Sequence, residues 1–177
     1  MKKAYFRPFL WVGDCMKIIE IVGKNYFGKW NKTRTACRGI VIKDDKILLS
    51  YETLTDQWMI PGGGIDDNET ESECCIREVA EETGVLVKTS DCLLEIVEYY
   101  EDYKYISKYF ICKIVGTTER RLTKREKMVG MEPRWISINE IKNIFSRHND
   151  YENTNEMRRG MYLREYKALS ELIKEGD

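Results

Sequence analysis

Arg77 is followed by Glu78 and, after two residues, by Glu81 and Glu82, and a glycine run, Pro61-Gly62-Gly63-Gly64, lies shortly upstream. On a helix, spacings of three and four residues bring the three carboxylates to one side. Glu78 and Glu82 are then a like-charge i,i+4 pair, which costs about 0.2–0.5 kcal/mol on a bare helix. Gly84 closes the segment, so these anions also sit near the helix C-terminus, the wrong end of the macrodipole for negative charge. A hard divalent cation such as Mg²⁺, which takes carboxylate oxygens, would turn that repulsion into attraction. A metal beside a glycine turn implies phosphate chemistry. A solvated acidic helix face would carry the same three glutamates, so the flanking residues must decide.

Those flanks are ordered for a site. Gln57-Trp58-Met59-Ile60 reads as a short strand ending at Pro61, and the glycines after it permit a backbone closed to other residues. Asn68 with Glu71 forms a capping pair that would open the helix, and Gly84 would close it. Ile76, Val79 and Thr83, with Cys75 at the edge, share a neighbouring face that can pack on a sheet. Arg77 stands four residues before Glu81 and eight after Glu69, so it can tie the two ends of the segment by ion pairs.

The segment Gly63 to Val85 resembles the signature of the Nudix hydrolases, G-x5-E-x7-R-E-U-x-E-E-x-G-U, where U is a bulky aliphatic residue. Gly63, Glu69, Arg77, Glu78, Val79, Glu81, Glu82, Gly84 and Val85 meet every fixed position. Outside the box the likeness is looser but continues from about Thr33 to Phe145. Asp66 stands where the family often has glutamate, at a position outside the fixed pattern.

The resemblance implies an α+β Nudix fold, a mixed β-sheet sandwiched between helices. It implies hydrolysis of the pyrophosphate linkage of a nucleoside diphosphate joined to another group, by metal-assisted attack of water. Mg²⁺ or Mn²⁺ is the implied cofactor. Glu78 and Glu82 would be the main metal ligands, Glu81 would assist or orient water, and a backbone carbonyl of the Gly62–Gly63 turn, that of Gly63, would be a further ligand. Glu69, Arg77 and Gly84 would be structural. The general base varies within the family; Glu119, Glu126 and Glu132 are loop candidates, of which Glu126 is preferred. A module that binds nucleotide without turning it over is the alternative, but such a module would be expected to have lost box carboxylates, and all are present.

Substrate choice is less legible. Arg38 could reach a phosphate or simply pair on the surface, and Trp58 could stack on a base or merely pack. The basic run Arg120-Arg121, Lys124-Arg125, Lys127 could grip phosphates or form a solvated loop, and His148 lies in a polar stretch without evident chemistry. The proline about sixteen residues beyond the box, which ADP-ribose pyrophosphatases tend to carry, is absent; none lies between Pro61 and Pro133. The tyrosine that dinucleoside polyphosphate hydrolases tend to carry there falls at Tyr100 or Tyr103, inside a tyrosine-rich stretch. A nucleoside triphosphate or dinucleoside polyphosphate is therefore favoured over ADP-ribose.

The elements that must hold the site are mostly strands in the first half. Tyr5–Val12 and Lys17–Val22 are expected to form a hairpin, and residues 23–31 a linker. Ala36–Ile42 and Lys46–Tyr51 flank a turn at Asp44-Asp45; Leu93–Tyr99, Tyr103–Val115 and Glu132–Ile136 read as further strands. Ser137 would cap a helix running to about Phe145, and a last helix spans Glu156–Lys174. This divides the chain into an N-terminal β-rich extension (1–31), the Nudix domain (32–148) and a C-terminal helix (149–177) packed on the same domain.

With 177 residues and a formal net charge of −1, the chain fits one domain with decorations and has no general pull toward nucleic acid or an anionic membrane. The six cysteines form no C-x-x-C pair and read as small buried hydrophobes of a reducing compartment. No stretch approaches the ~20 apolar residues of a membrane span. After Met1-Lys2-Lys3, the apolar run Phe9–Val12 is too short for a secretory leader. A cytoplasmic protein acting on a small nucleotide is expected. The aromatic flank with Phe6, Phe9, Trp11, Phe27 and Trp30 could cover the core or bury against a second subunit, making a homodimer.

Overall fold

The computed structural model describes residues 16–173. Its sheet is mixed, and its two faces carry different side chains because residues alternate along each strand. Strand β1 (Lys17–Val22) runs parallel to β7 (Leu94–Tyr100), which is antiparallel to β8 (Tyr103–Thr117). Strand β8 lies parallel to β2 (Lys32–Lys43), and β2 turns back into β3 (Lys46–Glu52). That turn places Asp44 and Asp45 at φ 50° and 57°, the twist a two-residue hairpin needs. Strands β4 (Gln57–Met59) and β9 (Met131–Ser137) flank β3, while β5 (Gly62–Gly64) pairs with β2 and β6 (Val85–Thr89) with β8.

Helix α1 (Glu71–Thr83) packs Cys74, Cys75 and Val79 on one sheet face, against Cys37, Val41, Leu48, Phe110 and Cys112. The other face carries Ile40, Ile47, Leu49, Ile96 and Tyr109. They pack with Ile141 and Phe145 of α3 (Ile138–Phe145) and with Tyr162, Ala168 and Leu169 of α4 (Glu156–Leu172). Ile40/Val41, Leu48/Leu49 and Tyr109/Phe110 thus split between the two cores, as period-two alternation requires. The result is a mixed sheet between helices, the α+β sandwich expected.

Several local expectations change. Strand β1 pairs in parallel with β7. The strand expected over Tyr5–Val12, and with it the hairpin partner of β1, lies outside the described residues, as do Phe6, Phe9 and Trp11 of the aromatic flank. The glycine run is a short strand hydrogen-bonded to β2 rather than a free turn. The cap of α1 is Thr70: its hydroxyl accepts the Glu73 N–H, and Glu73 accepts the Thr70 N–H at 2.7 Å. Asn68 sits at φ 69°, in the left-handed region, whereas a helix N-cap is extended. Strand β6 and the five-residue helix α2 (Lys124–Met128) had no counterpart in the sequence reading. Cys37, Cys74, Cys75, Cys92 and Cys112 are free thiols, all but Cys92 buried. No helix among the described residues is long and apolar enough to cross a membrane.

Candidate active site

Both ends of α1 are fixed by short-range chemistry. The Thr70–Glu73 capping box starts it, and Gly84 ends it at φ 75°, where its N–H reaches the Ala80 carbonyl. A β-carbon on Gly84 would also meet the Thr118 carbonyl oxygen at 2.8 Å, so the glycine serves both conformation and close approach.

Arg77 is the hub of the exposed side of the helix. Its Nε and a terminal nitrogen donate to the two oxygens of Glu69 at 3.0 and 2.5 Å, a bidentate pairing, and that terminal nitrogen also reaches the Gly64 carbonyl at 3.1 Å. The other terminal nitrogen donates to Glu78 at 2.7 Å and Glu81 at 3.2 Å. Arg77 holds the Glu69 carboxyl down at about 2, and Glu69 in turn raises the guanidinium.

Glu82 points the other way, into the protein, and is 6% exposed. Its carboxylate accepts the Ser50 hydroxyl at 2.5 Å and the Gly62 N–H at 3.4 Å, and it forms no ion pair among the described residues. Burial pushes its carboxyl up to about 8; the charges of Glu78 and Glu126 push the same way, against Ser50 and Arg38. Burial also raises Glu78, opposed by Arg77. Gly63 faces this pair. A β-carbon there would stand 2.5 Å from both Glu78 carboxylate oxygens, so glycine is the residue that lets this carboxylate lie against β5.

These groups suit a hard divalent cation. Their donors are carboxylate oxygens, one of them buried without a counter-charge, and the space beside Gly63 is a cradle that any side chain would fill. Among the described residues no three acidic, thiol or imidazole side chains already converge as an ion cage, because Glu78 and Glu81 are turned onto Arg77. Glu78 would have to swing from Arg77 toward Glu82, and Arg77 keeps Glu69 as its partner when it does. The Gly63 carbonyl faces the Cys74 thiol at 3.6 Å, a weak contact a cation could replace.

The other expected site residues are scattered. Glu126 lies at the third position of α2, accepting the Thr123 N–H at 2.8 Å, close enough for its charge to raise both Glu78 and Glu82. Glu132 is turned to Arg134 at 2.7 Å. Arg120 donates to the Met131 carbonyl. His148 packs its ring edge-on to Tyr166. Trp58 lies opposite Tyr51 in the β3–β4 register, with ring centroids 4.2 Å apart, and packs half-buried on the α3–α4 core. Ser50, one residue along β3, faces Glu82, so Trp58 and the carboxylates occupy opposite sheet faces. Arg38 is 9% exposed and donates to the Ile60 carbonyl at 3.1 Å, inside the protein rather than on an open edge.

Two buried polar residues near the site were missed. Ser50 holds Glu82, and Glu52, 1% exposed, takes Arg125 at 2.8 Å and the Thr55 hydroxyl at 2.6 Å. Alternation was the available signal, since Ser50 and Glu52 share the face of buried Leu48 along β3.

The NUDIX domain model matches residues 33–157. The chain belongs to the Nudix family. It is 27% identical over 106 residues to diphosphoinositol polyphosphate phosphohydrolase 3-alpha of Mus musculus, covering 60% of this chain and 63% of that protein. It is 31% identical over 121 residues to the mRNA-decapping enzyme subunit 2 of Saccharomyces cerevisiae, covering 63% of this chain and 11% of that one. The chain thus spans less than two thirds of the length of these curated relatives. Among solved structures, the NUDIX hydrolase from Nitrosomonas europaea superposes with a TM-score of 0.54 at 22% identity, covering 77% of this chain and 90% of that one. A NUDIX-family hydrolase from Clostridium perfringens gives 0.51 at 17%, covering 78% and 97%. These two likenesses concern the fold.

Proposed function

We propose that this chain is a metal-dependent pyrophosphohydrolase acting on a nucleoside diphosphate linked to another group. The observation that carries the reading is Glu82, a buried carboxylate without an ion-pair partner among the described residues, held by Ser50 and the Gly62 N–H next to the glycine against which Glu78 lies. A bound Mg²⁺ or Mn²⁺ would neutralise the phosphate oxygens and the leaving group. Glu78 and Glu82 would hold the cation, with Glu81 and the Gly63 carbonyl as further donors. Glu126, on the short helix α2, takes the proton of the attacking water as the new P–O bond forms and the bridging P–O bond breaks. Arg77 and Glu69 keep α1 and its carboxylates in place, and Gly84 ends the helix where they stand.

The missing proline beyond the box supports nucleoside triphosphates or dinucleoside polyphosphates over ADP-ribose. The names of the relatives add diphosphoinositol polyphosphates and capped RNA to the candidates. The test is product release across those five classes and nucleotide sugars, with Mg²⁺ or Mn²⁺, for the wild type and Glu82→Gln. Turnover of a preferred class, reduced by at least about 100-fold in the variant, is expected. Nucleotide binding without turnover of any class would favour the non-catalytic module instead.

A further inference from the structure

Beneath α4 lies a group of buried charges that the pyrophosphohydrolase reading does not use. Glu165 is fully buried; it accepts Arg164 at 2.8 Å and the Tyr109 hydroxyl at 3.0 Å, and Arg38 stands 3.7 Å from it. Arg164 also reaches Glu98 of β7 at 3.3 Å. Arg164 and Glu165 lie beyond the segment that the family model matches, which ends at residue 157. Desolvating four charges is expensive, and well-packed apolar residues often serve stability as well or better. A role in stability alone is therefore a weak account of them.

Arg38 links this group to the metal site. Its guanidinium donates to the Ile60 carbonyl, its Nε has no hydrogen-bond partner among the described residues, and Glu165, at 3.7 Å, is its ion-pair partner, with the charges of Glu98 and Glu82 also within electrostatic reach. Its backbone and stem lie directly under Gly62: a β-carbon there would come within 2.7 Å of the Arg38 Cα and 2.8 Å of its Cγ. The Gly62 N–H then donates to Glu82. A continuous path thus runs from Glu165 through Arg38 and the Ile60–Gly62 backbone to the buried carboxylate of α1.

We propose that Glu165 is a positioning residue for the metal site: through Arg38 it fixes the Ile60–Gly62 strand end and, with it, Glu82. The inference rests on the reading of Glu78 and Glu82 as metal ligands. It gives the C-terminal helix a part in metal binding that its distance from α1 in sequence conceals.

The test is Mn²⁺ binding to the full chain without substrate, followed by electron paramagnetic resonance, with urea unfolding of each variant alongside. Glu165→Gln keeps the shape of the side chain but removes its charge and one of its two acceptor oxygens, the Tyr109 hydroxyl turning to accept the new amide, and it should weaken Mn²⁺ about tenfold, as loss of a supporting contact does at other metal sites. Arg38→Met should weaken it similarly, and the double variant no further than Arg38→Met alone, because one path is cut twice. Arg159→Gln, which breaks the α4 pair with Glu156, should leave Mn²⁺ affinity unchanged whatever it does to stability. Wild-type affinity in Glu165→Gln, or a multiplied loss in the double variant, would overturn the inference. Should Glu165→Gln fail to fold, wild-type affinity in Arg38→Met would overturn it as well. A wild type that binds no Mn²⁺, or Glu82→Gln that binds it equally well, would overturn the metal reading and this inference together.

Discussion

Two groups of buried carboxylates lie on opposite faces of the sheet, and they are neutralised differently. Under α4, Glu98 and Glu165 both reach Arg164, and Glu165 also takes the Tyr109 hydroxyl. Against β3 and β5, Glu82 is also buried, yet a hydroxyl and one N–H are its hydrogen-bond partners. The first group carries its own counter-charges. The second is incomplete, and its missing positive charge is the strongest physical sign of what it does.

The largest effect should come from breaking the completed group. Arg164→Met leaves Glu98 and Glu165 buried together without their shared cation, and it should lower the unfolding free energy by about 3–5 kcal/mol in urea denaturation. A change below about 1 kcal/mol would mean that the two carboxylates do not depend on Arg164 for their charge balance.

Gly63→Ala acts on the incomplete group instead. The new β-carbon would displace the Glu78 carboxylate, the free end of a flexible side chain, so the fold should survive. Metal affinity or turnover should fall by about 10–100-fold while the melting curve barely moves. Wild-type metal affinity in this variant would show that Glu78 need not lie against β5.

A smaller, pH-dependent effect sharpens the contrast from the side of Arg77. The Glu69 carboxyl is held at about 2 in the folded protein, against 4.5 ordinarily. Its contribution to stability is therefore whole above pH 4.5 and is lost as pH falls toward 2. Glu69→Gln should flatten that part of the acid-unfolding profile and leave the profile above pH 5 parallel to the wild type. Identical slopes in the two proteins between pH 4.5 and 2 would count against the Arg77–Glu69 pairing.

How legible these groups were depended on the range of the physics involved. The carboxylates of α1 and the Asp44-Asp45 turn follow from spacing and backbone preference, which a local window contains. The N-cap was ambiguous locally: Asn68–Glu71 and Thr70–Glu73 offer the same pattern two residues apart, and the left-handed φ of Asn68 decides between them. Helix α2 is short and charged, with a capping box as its main local support, so no hydrophobic period announces it. The face of Trp58 depends on its register against Tyr51, which no pattern within β4 specifies. Arg38 and Glu165 come together only through the packing of α4, and neither residue names the other in sequence.

The most direct measurement is thermal unfolding at about pH 8.5, where Glu82 would be largely ionised, with and without Mn²⁺, for the wild type and Glu82→Gln. Without metal the variant should melt higher by about 2–6 °C, since it removes a buried charge worth on the order of 1–2 kcal/mol. Mn²⁺ should raise the melting temperature of the wild type and leave the variant where it was. A variant that melts below the wild type without metal, and rises equally with Mn²⁺, would contradict the account of Glu82 as a buried carboxylate awaiting its cation.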